Sequence, residues 1–356
     1  MQIRTKEQIE TPALVIDMDK LEANIRRMSE YLAGKKAKLR PHFKTHKSPT
    51  IAHMQMAAGA KGLTCSKLGE AEVLAAAGIY DILIANEIVD KNKLYRLAGL
   101  AKRARIGVCV DNLDNVTELS EAACAFGSTI YVHIEITVGS ERCGINTKEE
   151  ALALAKQISQ SKGLVFEGFQ AYAGHIQHKP DMDERVKGVQ AAIAKVGAIK
   201  EHLEKNGIPV KEISGGGTGT YNITGDNTIW TEIQAGSYIF MDTHYNQLGL
   251  DFESSLTILT TVMHKRPGTT IADAGQKVCC KTMGAPAIKN YPGLSAILSD
   301  EHGRIVDEKD ALKYLQRIEY IPSHCCTTVN LHDYYYCVRG NLWETTWPIL
   351  GRGKSL

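Results

Sequence analysis

KLRPHFKTHKS, residues 38–48, opens as a short strand and then gathers Arg40, His42, Lys44, His46 and Lys47 around one phenylalanine. A solvated turn, a nucleic-acid patch and a reactive lysine all fit that composition. The rest of the chain decides between them. Seven further β-rich runs recur: GLTCS (62–66), DILIANE (81–87), ARIGVCVD (104–111), IYVHIEI (130–136), LVFEGFQAY (164–172), VKEISGG (210–216) and TEIQAGS (231–237). Amphipathic stretches of helical period separate them, such as LGEAEVLAAAG and ERVKGVQAAIAKVGAIKEHLEKNG, the latter stopping at Asn206-Gly207. Eight βα units over about 230 residues predict an α/β fold, a (β/α)8 TIM-like barrel, with an open doubly wound sheet as the competitor.

After Tyr238 the texture changes to short strands and turns. The expected organisation is a barrel over 12–245 and a smaller β-rich domain over 250–356, joined by 1–11, with the extended segment 1–17 available to pair with it. Forty-two Lys and Arg against forty Asp and Glu leave a formal charge of +2 without long runs. That balance argues against a nucleic-acid surface. The N-terminus has no signal-like apolar region, and no stretch approaches the ~18 apolar residues of a membrane span. A cytoplasmic protein is expected. Nine scattered cysteines, with adjacent pairs at 279–280 and 325–326, read as reduced thiols.

Barrel chemistry sits at the C-terminal ends of strands, and Lys44 falls at the end of the first. Neighbouring positive charge and burial both lower an amine's pKa, as a Schiff-base lysine requires. ISGGGTGT (213–220) follows the seventh strand and AGSY (235–238) closes the eighth. Backbone N–H groups of Gly215, Gly216, Gly217 and Gly236, with the hydroxyls of Ser214, Thr218 and Ser237 and the adjoining Tyr238, suit a phosphate. A phosphate anchor facing a lysine across a barrel mouth describes pyridoxal 5′-phosphate. Arg142, in VGSERCG after the fifth strand, could face the ring's phenolic oxygen or a substrate carboxylate. After the sixth, FQAYAGHIQH supplies Tyr172 near the pyridine nitrogen, His175 as a catalytic base, and His178. Downstream, IPSHCCTTVNLHDYYYCVRG (321–340) places His324 and Cys326 two apart on a segment read as extended, so both project to one side. Imidazole plus thiolate suits Zn²⁺. His332 and Asp333 read as a loop ion pair rather than as ligands.

TPALVIDMDKLEANI, RPHFKTHKSP, SKLGEAEVLAAAGIYDILIANEIV, SGGGTGTY, QAGSYIFMD and PSHCCTTVNLHD together resemble the D-threonine aldolase / D-serine dehydratase group. The resemblance runs from about residue 10 to the end of the sequence. It implies a fold-type III pyridoxal-phosphate enzyme with an alanine-racemase-like barrel. Lys44 then carries the cofactor, His42 belongs to its cradle, and the loops 214–218 and 236–237 hold its phosphate. His324 and Cys326 bind a divalent metal (Zn²⁺, Mn²⁺ or Mg²⁺), and a homodimer is expected. The implied substrate is a small D-β-hydroxy-α-amino acid. Aldolases of the group typically pair the metal histidine with aspartate, dehydratases with cysteine. Cys326 is the dehydratase choice, whereas the run HCCTTVNLHD is aldolase-like. A low-specificity D-threonine aldolase is placed first, a D-serine or 3-hydroxyaspartate dehydratase second, and a racemase third. A non-catalytic pyridoxal-phosphate carrier is set aside because such barrels lack a second domain.

Overall fold

The computed structural model describes residues 4–356; the first three residues of the expected 1–11 segment lie outside the described residues. The chain divides into two compact units. One comprises Ser29–Lys44, Ile51–Gly236 and Lys354–Leu356; the other comprises the segment up to Met28, Thr45–Thr50 and Ser237–Gly353.

In the first unit, eight parallel strands follow the order Lys38–Leu39, Glu232–Ile233, Glu212–Gly215, Leu164–Ala171, Ile130–Glu135, Arg105–Val110, Asp81–Glu87, Leu63–Cys65. A parallel bridge between His42 and Thr64 joins the two ends of that order. The sheet is therefore closed, and the barrel expectation holds. The eight strands lie where the β-rich runs predicted them. The first is shorter than KLRPHFK implies: its ladder covers 38–39, is interrupted at Pro41, and resumes at His42, whose N–H donates to Ala235 O at 3.2 Å. Pro41 has no N–H to give, but its carbonyl accepts from Thr64 N at 2.9 Å. Lys44 accordingly sits on a single 3₁₀ turn, Phe43–Thr45, rather than on a strand.

Helices between the strands start where the sequence can cap them. Asp90, Asn112 and Thr147 each accept a backbone N–H three residues on, and Thr147 completes a capping box with Glu150. The helix Met182–Lys205 ends at Asn206 and Gly207 as expected, with Gly207 at φ +78°. Apolar faces of strands and helices merge into one core that includes Ile82, Ile106, Val132, Phe169 and Ile213. No helix among the described residues is long and apolar enough to cross a membrane.

Arg40 corrects one sequence reading. It is not part of a basic cluster beside Lys44: its side chain is 1 % exposed and clamps Glu232 through two bonds (2.9 and 2.8 Å) and Asp81 through a third (2.7 Å). Lys61 adds a 2.7 Å contact to Glu232 and a bond to Glu212. Burial alone would raise the Glu232 carboxyl, but the charge and hydrogen bonds of Arg40 outweigh it and hold the group below its usual range. Glu212 is likewise lowered, by His133 and Lys61 against burial.

The other unit is β-rich. Ala13–Asp17 lies between Leu256–Arg266, antiparallel to it, and Tyr334–Arg339, parallel to it. Leu256–Arg266 extends the sheet through Gly268–Ala272 and Arg317–Ile321.

Replacing Arg40 with Met should cost about 3–5 kcal/mol of stability, because Glu232 is left charged and buried. Arg96→Ala, which breaks an exposed pair with Glu72, should cost no more than about 1 kcal/mol. Chemical unfolding of both variants checks this; equal losses would contradict it. Since the folded carboxyls are lowered, their contribution is complete above the unfolded pKa of about 4.3 and disappears as the pH falls through the folded values.

Candidate functional site

In the barrel unit, Lys44 is half-buried and its N–H donates to His42 Nδ1 at 3.4 Å. His42 Nε2 lies 3.3 Å from the Ser66 hydroxyl, so the imidazole is fixed on both sides. The Lys44 ammonium stands 5.8 Å from the centre of the Tyr172 ring, and the Arg142 guanidinium lies 6.0 Å from it. Both cations thus lie near Tyr172. Arg142 is also held by Glu135, at 2.8 Å. His175 is exposed and its ring packs over Gly139, where an added Cβ would come within 2.8 Å of it.

The glycine-rich loop is shaped by a residue that sequence reasoning passed over. Gln177, between the two histidines of HIQH, is fully buried. Its Oε1 accepts from Gly219 N at 3.1 Å, while its Nε2 donates to Ala173 O and to the Thr220 hydroxyl, both at 3.1 Å. The approach is so close that a Cβ on Gly219 would lie 1.9 Å from Gln177 O, and one on Gly217 would lie 2.6 Å from Gln177 Oε1 and 3.3 Å from the Tyr172 ring. Gly216 adopts φ +66°, which favours glycine. Thr218 begins the 3₁₀ turn Thr218–Thr220. Ser214 belongs to an interior network instead: its hydroxyl accepts from Gln234 Nε2 at 2.9 Å, and Gln234 exchanges bonds with Gln170. Gly215 lies at the end of that strand, and Gly236 precedes the turn Ser237–Ile239. A cradle that only glycine can line, beside a lysine, an aromatic ring and an arginine, fits pyridoxal phosphate.

In the β-rich unit, His324 and Cys326 hydrogen-bond each other through their side chains; that bond, ahead of the opposing effect of burial, raises the His324 pKa. The segment is not extended beyond His324. Cys325–Val329 forms a short helix, and Asp242, fully buried, accepts the Cys325 N–H at 3.2 Å. Cys325 points into the core and its thiol is pushed well up, by Cys326 and then by burial. The two residues therefore meet through a helix start, not through strand alternation. Around them, Cys326 Sγ is 3.4 Å from the Thr45 hydroxyl and 3.9 Å from the Ser237 hydroxyl, and His324 Nδ1 is 3.4 Å from the Thr282 hydroxyl. A facing imidazole and thiol suit a borderline divalent ion such as Zn²⁺. Tyr238 is buried against Phe252, 5.5 Å between ring centres. His332 bonds Val278 O at 2.7 Å and Asp333 pairs with Arg352 at 3.2 Å, not with each other. All nine cysteines are free.

A closed (β/α)8 barrel carrying this cradle defines a pyridoxal-phosphate enzyme of the alanine-racemase type. The sequence agrees: residues 16–244 match the alanine racemase N-terminal domain, and 255–338 match the putative serine dehydratase domain. The chain belongs to the D-threonine aldolase / D-serine dehydratase-like family of fold-type III enzymes. It is 41 % identical to a D-threonine aldolase of Arthrobacter sp. over 98 % of this chain and 94 % of that one. It is 38 % identical to a 3-hydroxy-D-aspartate aldolase of Paracoccus denitrificans, over 98 % and 93 %. The crystal structure of D-threonine aldolase from Filomicrobium marinum superposes with a TM-score of 0.97 at 38 % identity, covering 100 % of both chains. D-threo-3-hydroxyaspartate dehydratase from Delftia sp. HT23 gives 0.89 at 27 % identity, over 97 % and 99 %.

Gln177→Ala should weaken pyridoxal phosphate binding roughly tenfold to a hundredfold, because it strips buried partners from Gly219 N and Thr220 (about 1–3 kcal/mol). Titration of the cofactor by its absorbance measures this; an unchanged dissociation constant would contradict the cradle's role.

Proposed function

We propose that the chain is a pyridoxal-phosphate- and divalent-metal-dependent lyase of D-β-hydroxy-α-amino acids, cleaving D-threonine to glycine and acetaldehyde with low specificity. The observation that carries the reading is the hydrogen-bonded His324–Cys326 pair in a chain that also has the Lys44 cradle. A racemase needs no metal, and a cofactor carrier needs no second unit. Aldolase is favoured over dehydratase because the aldolase relatives are 36–41 % identical and the dehydratases 22–28 %.

Bound pyridoxal phosphate supplies an electron sink for whichever Cα bond stands perpendicular to its ring. Lys44 holds the cofactor. Thr218, Gly236 and Ser237 with the glycine loop receive its phosphate, while Arg142 and Tyr172 orient ring and substrate carboxylate. His324 and Cys326 hold the divalent ion, which acidifies a hydroxyl. His175 accepts the β-hydroxyl proton as the Cα–Cβ bond breaks. Thr45 follows Lys44 in the chain and Ser237 follows Gly236, so the hydroxyl neighbours of Cys326 are sequence neighbours of cofactor residues. The second reading rests on Cys326, the dehydratase ligand: there Lys44 would take the Cα proton and the hydroxyl would leave, giving 2-oxobutanoate and ammonia from D-threonine. The working form is read as a cytoplasmic homodimer.

Incubation of D-threonine with the holoenzyme and Mn²⁺ should accumulate glycine and acetaldehyde in equal amounts. Accumulation of 2-oxobutanoate would transfer the assignment to the dehydratase. His175→Gln should lower turnover by about 10²–10⁴ with the cofactor still bound. Chelation, or Cys326→Ala, should stop turnover and leave the cofactor's visible absorption in place. Full glycine production after chelation would remove the metal from the mechanism.

A further inference from the structure

Three neighbouring barrel strands end on acids. Asp81–Glu87 closes on Glu87, Arg105–Val110 runs into Asp111, and Ile130–Glu135 closes on Glu135. The three are paired side by side, so their C-terminal ends lie together. The loop after the third strand turns back over them: Ile136 bridges Ile145, the Thr137 hydroxyl donates to Cys143 O and Gly144 O, and Gly144 N donates to Asp111 Oδ2 at 3.0 Å. That loop carries Arg142 and Cys143.

Ligand atoms of Glu87, Asp111 and Cys143 lie within 4.8 Å of one another. Donor atoms that close together can share one ion. Glu135 interacts electrostatically with both Glu87 and Asp111. It is 3 % exposed; its Oε1 takes Arg142, while its Oε2 is buried without a hydrogen-bond partner. Glu87 Oε1 is buried and without a partner as well. The positive charge nearby is the Arg142 guanidinium, which bonds Glu135, while Glu87 accepts a bond from the Cys143 thiol. One divalent cation among Glu87, Asp111 and Cys143 would add the positive charge that these acids and the neighbouring Glu135 lack.

We propose that Glu87, Asp111 and Cys143 hold a second divalent cation, of the Mn²⁺ class, with the Glu135 carboxylate beside them. Its two carboxylates separate it in chemistry from the imidazole–thiol pair His324–Cys326. The ion is a positioning element. It fastens the loop that carries Arg142 onto the strand ends and so fixes the guanidinium beside Tyr172.

The test is a count of Mn²⁺ bound by chelator-treated, reloaded holoenzyme, read from the loss of the free-ion electron paramagnetic resonance signal at pH 8. Wild type should bind two per chain. Asp111→Asn and Glu87→Gln should each lose one, and Cys326→Ala should lose the other. An unchanged count in both acid variants overturns the site. A measurement on the unaltered protein guards against misfolding of the variants: Mn²⁺ should slow tryptic cleavage after Arg142 at least tenfold, and equal cleavage rates with and without Mn²⁺ overturn the proposal. Neither readout depends on which products the enzyme makes.

Discussion

Arg40 is the side chain on which the barrel's closure turns. Its guanidinium grips Glu232 on the last strand and Asp81 on the third, while its own backbone joins Ile233 and the Thr64 hydroxyl. One residue therefore ties the first strand to neighbours on both sides of the seam. Burying Arg40 and Glu232 is expensive unless each charge is matched, and here the bidentate bond between them, the bond to the half-buried Asp81 and the support of Lys61 match them. Lys44 lies four residues further on. Its place on a rigid turn, after the bridge at His42, is set by that closure.

The same economy of support recurs at the glycine loop. Gln177 commits all its polar atoms to backbone and hydroxyl partners, drawing the loop so close that glycine alone fits at 217 and 219. Backbone N–H groups held that way present a fixed, uncharged concavity for an anion. The metal-type pair is organised by a buried acid instead. Asp242 accepts the first N–H of the helix Cys325–Val329, which turns Cys325 inward and leaves Cys326 bonded to His324.

The barrel was legible because strand and helix periods alternate cleanly and because chemistry-bearing residues fall at strand ends. Lys44, Arg142, Tyr172 and the glycine loop could be placed together from that spacing alone. Arg40 could not, since its partners lie 192 and 41 residues away in sequence. CCTTV reads as extended on its β-branched residues, and only the remote Asp242 makes a helix start there favourable. The acids at 87, 111 and 135 do leave a signal in the sequence: two successive strand runs finish on a carboxylate and the third carries one next to its end. Ser214 and Tyr238 show the limit of motif reading, for one bonds Gln234 inside the barrel and the other packs on Phe252.

All of this presupposes that Lys44 is the lysine that holds the cofactor. Lys47 is the instructive rival: three residues on, it is buried, with its ammonium donating to Gly351 O at 3.2 Å. Borohydride reduction of the holoenzyme fixes the cofactor covalently to the lysine that carries it, and peptide mapping then locates it. The account predicts a single modified residue, Lys44. A label on Lys47 or Lys67 would contradict it.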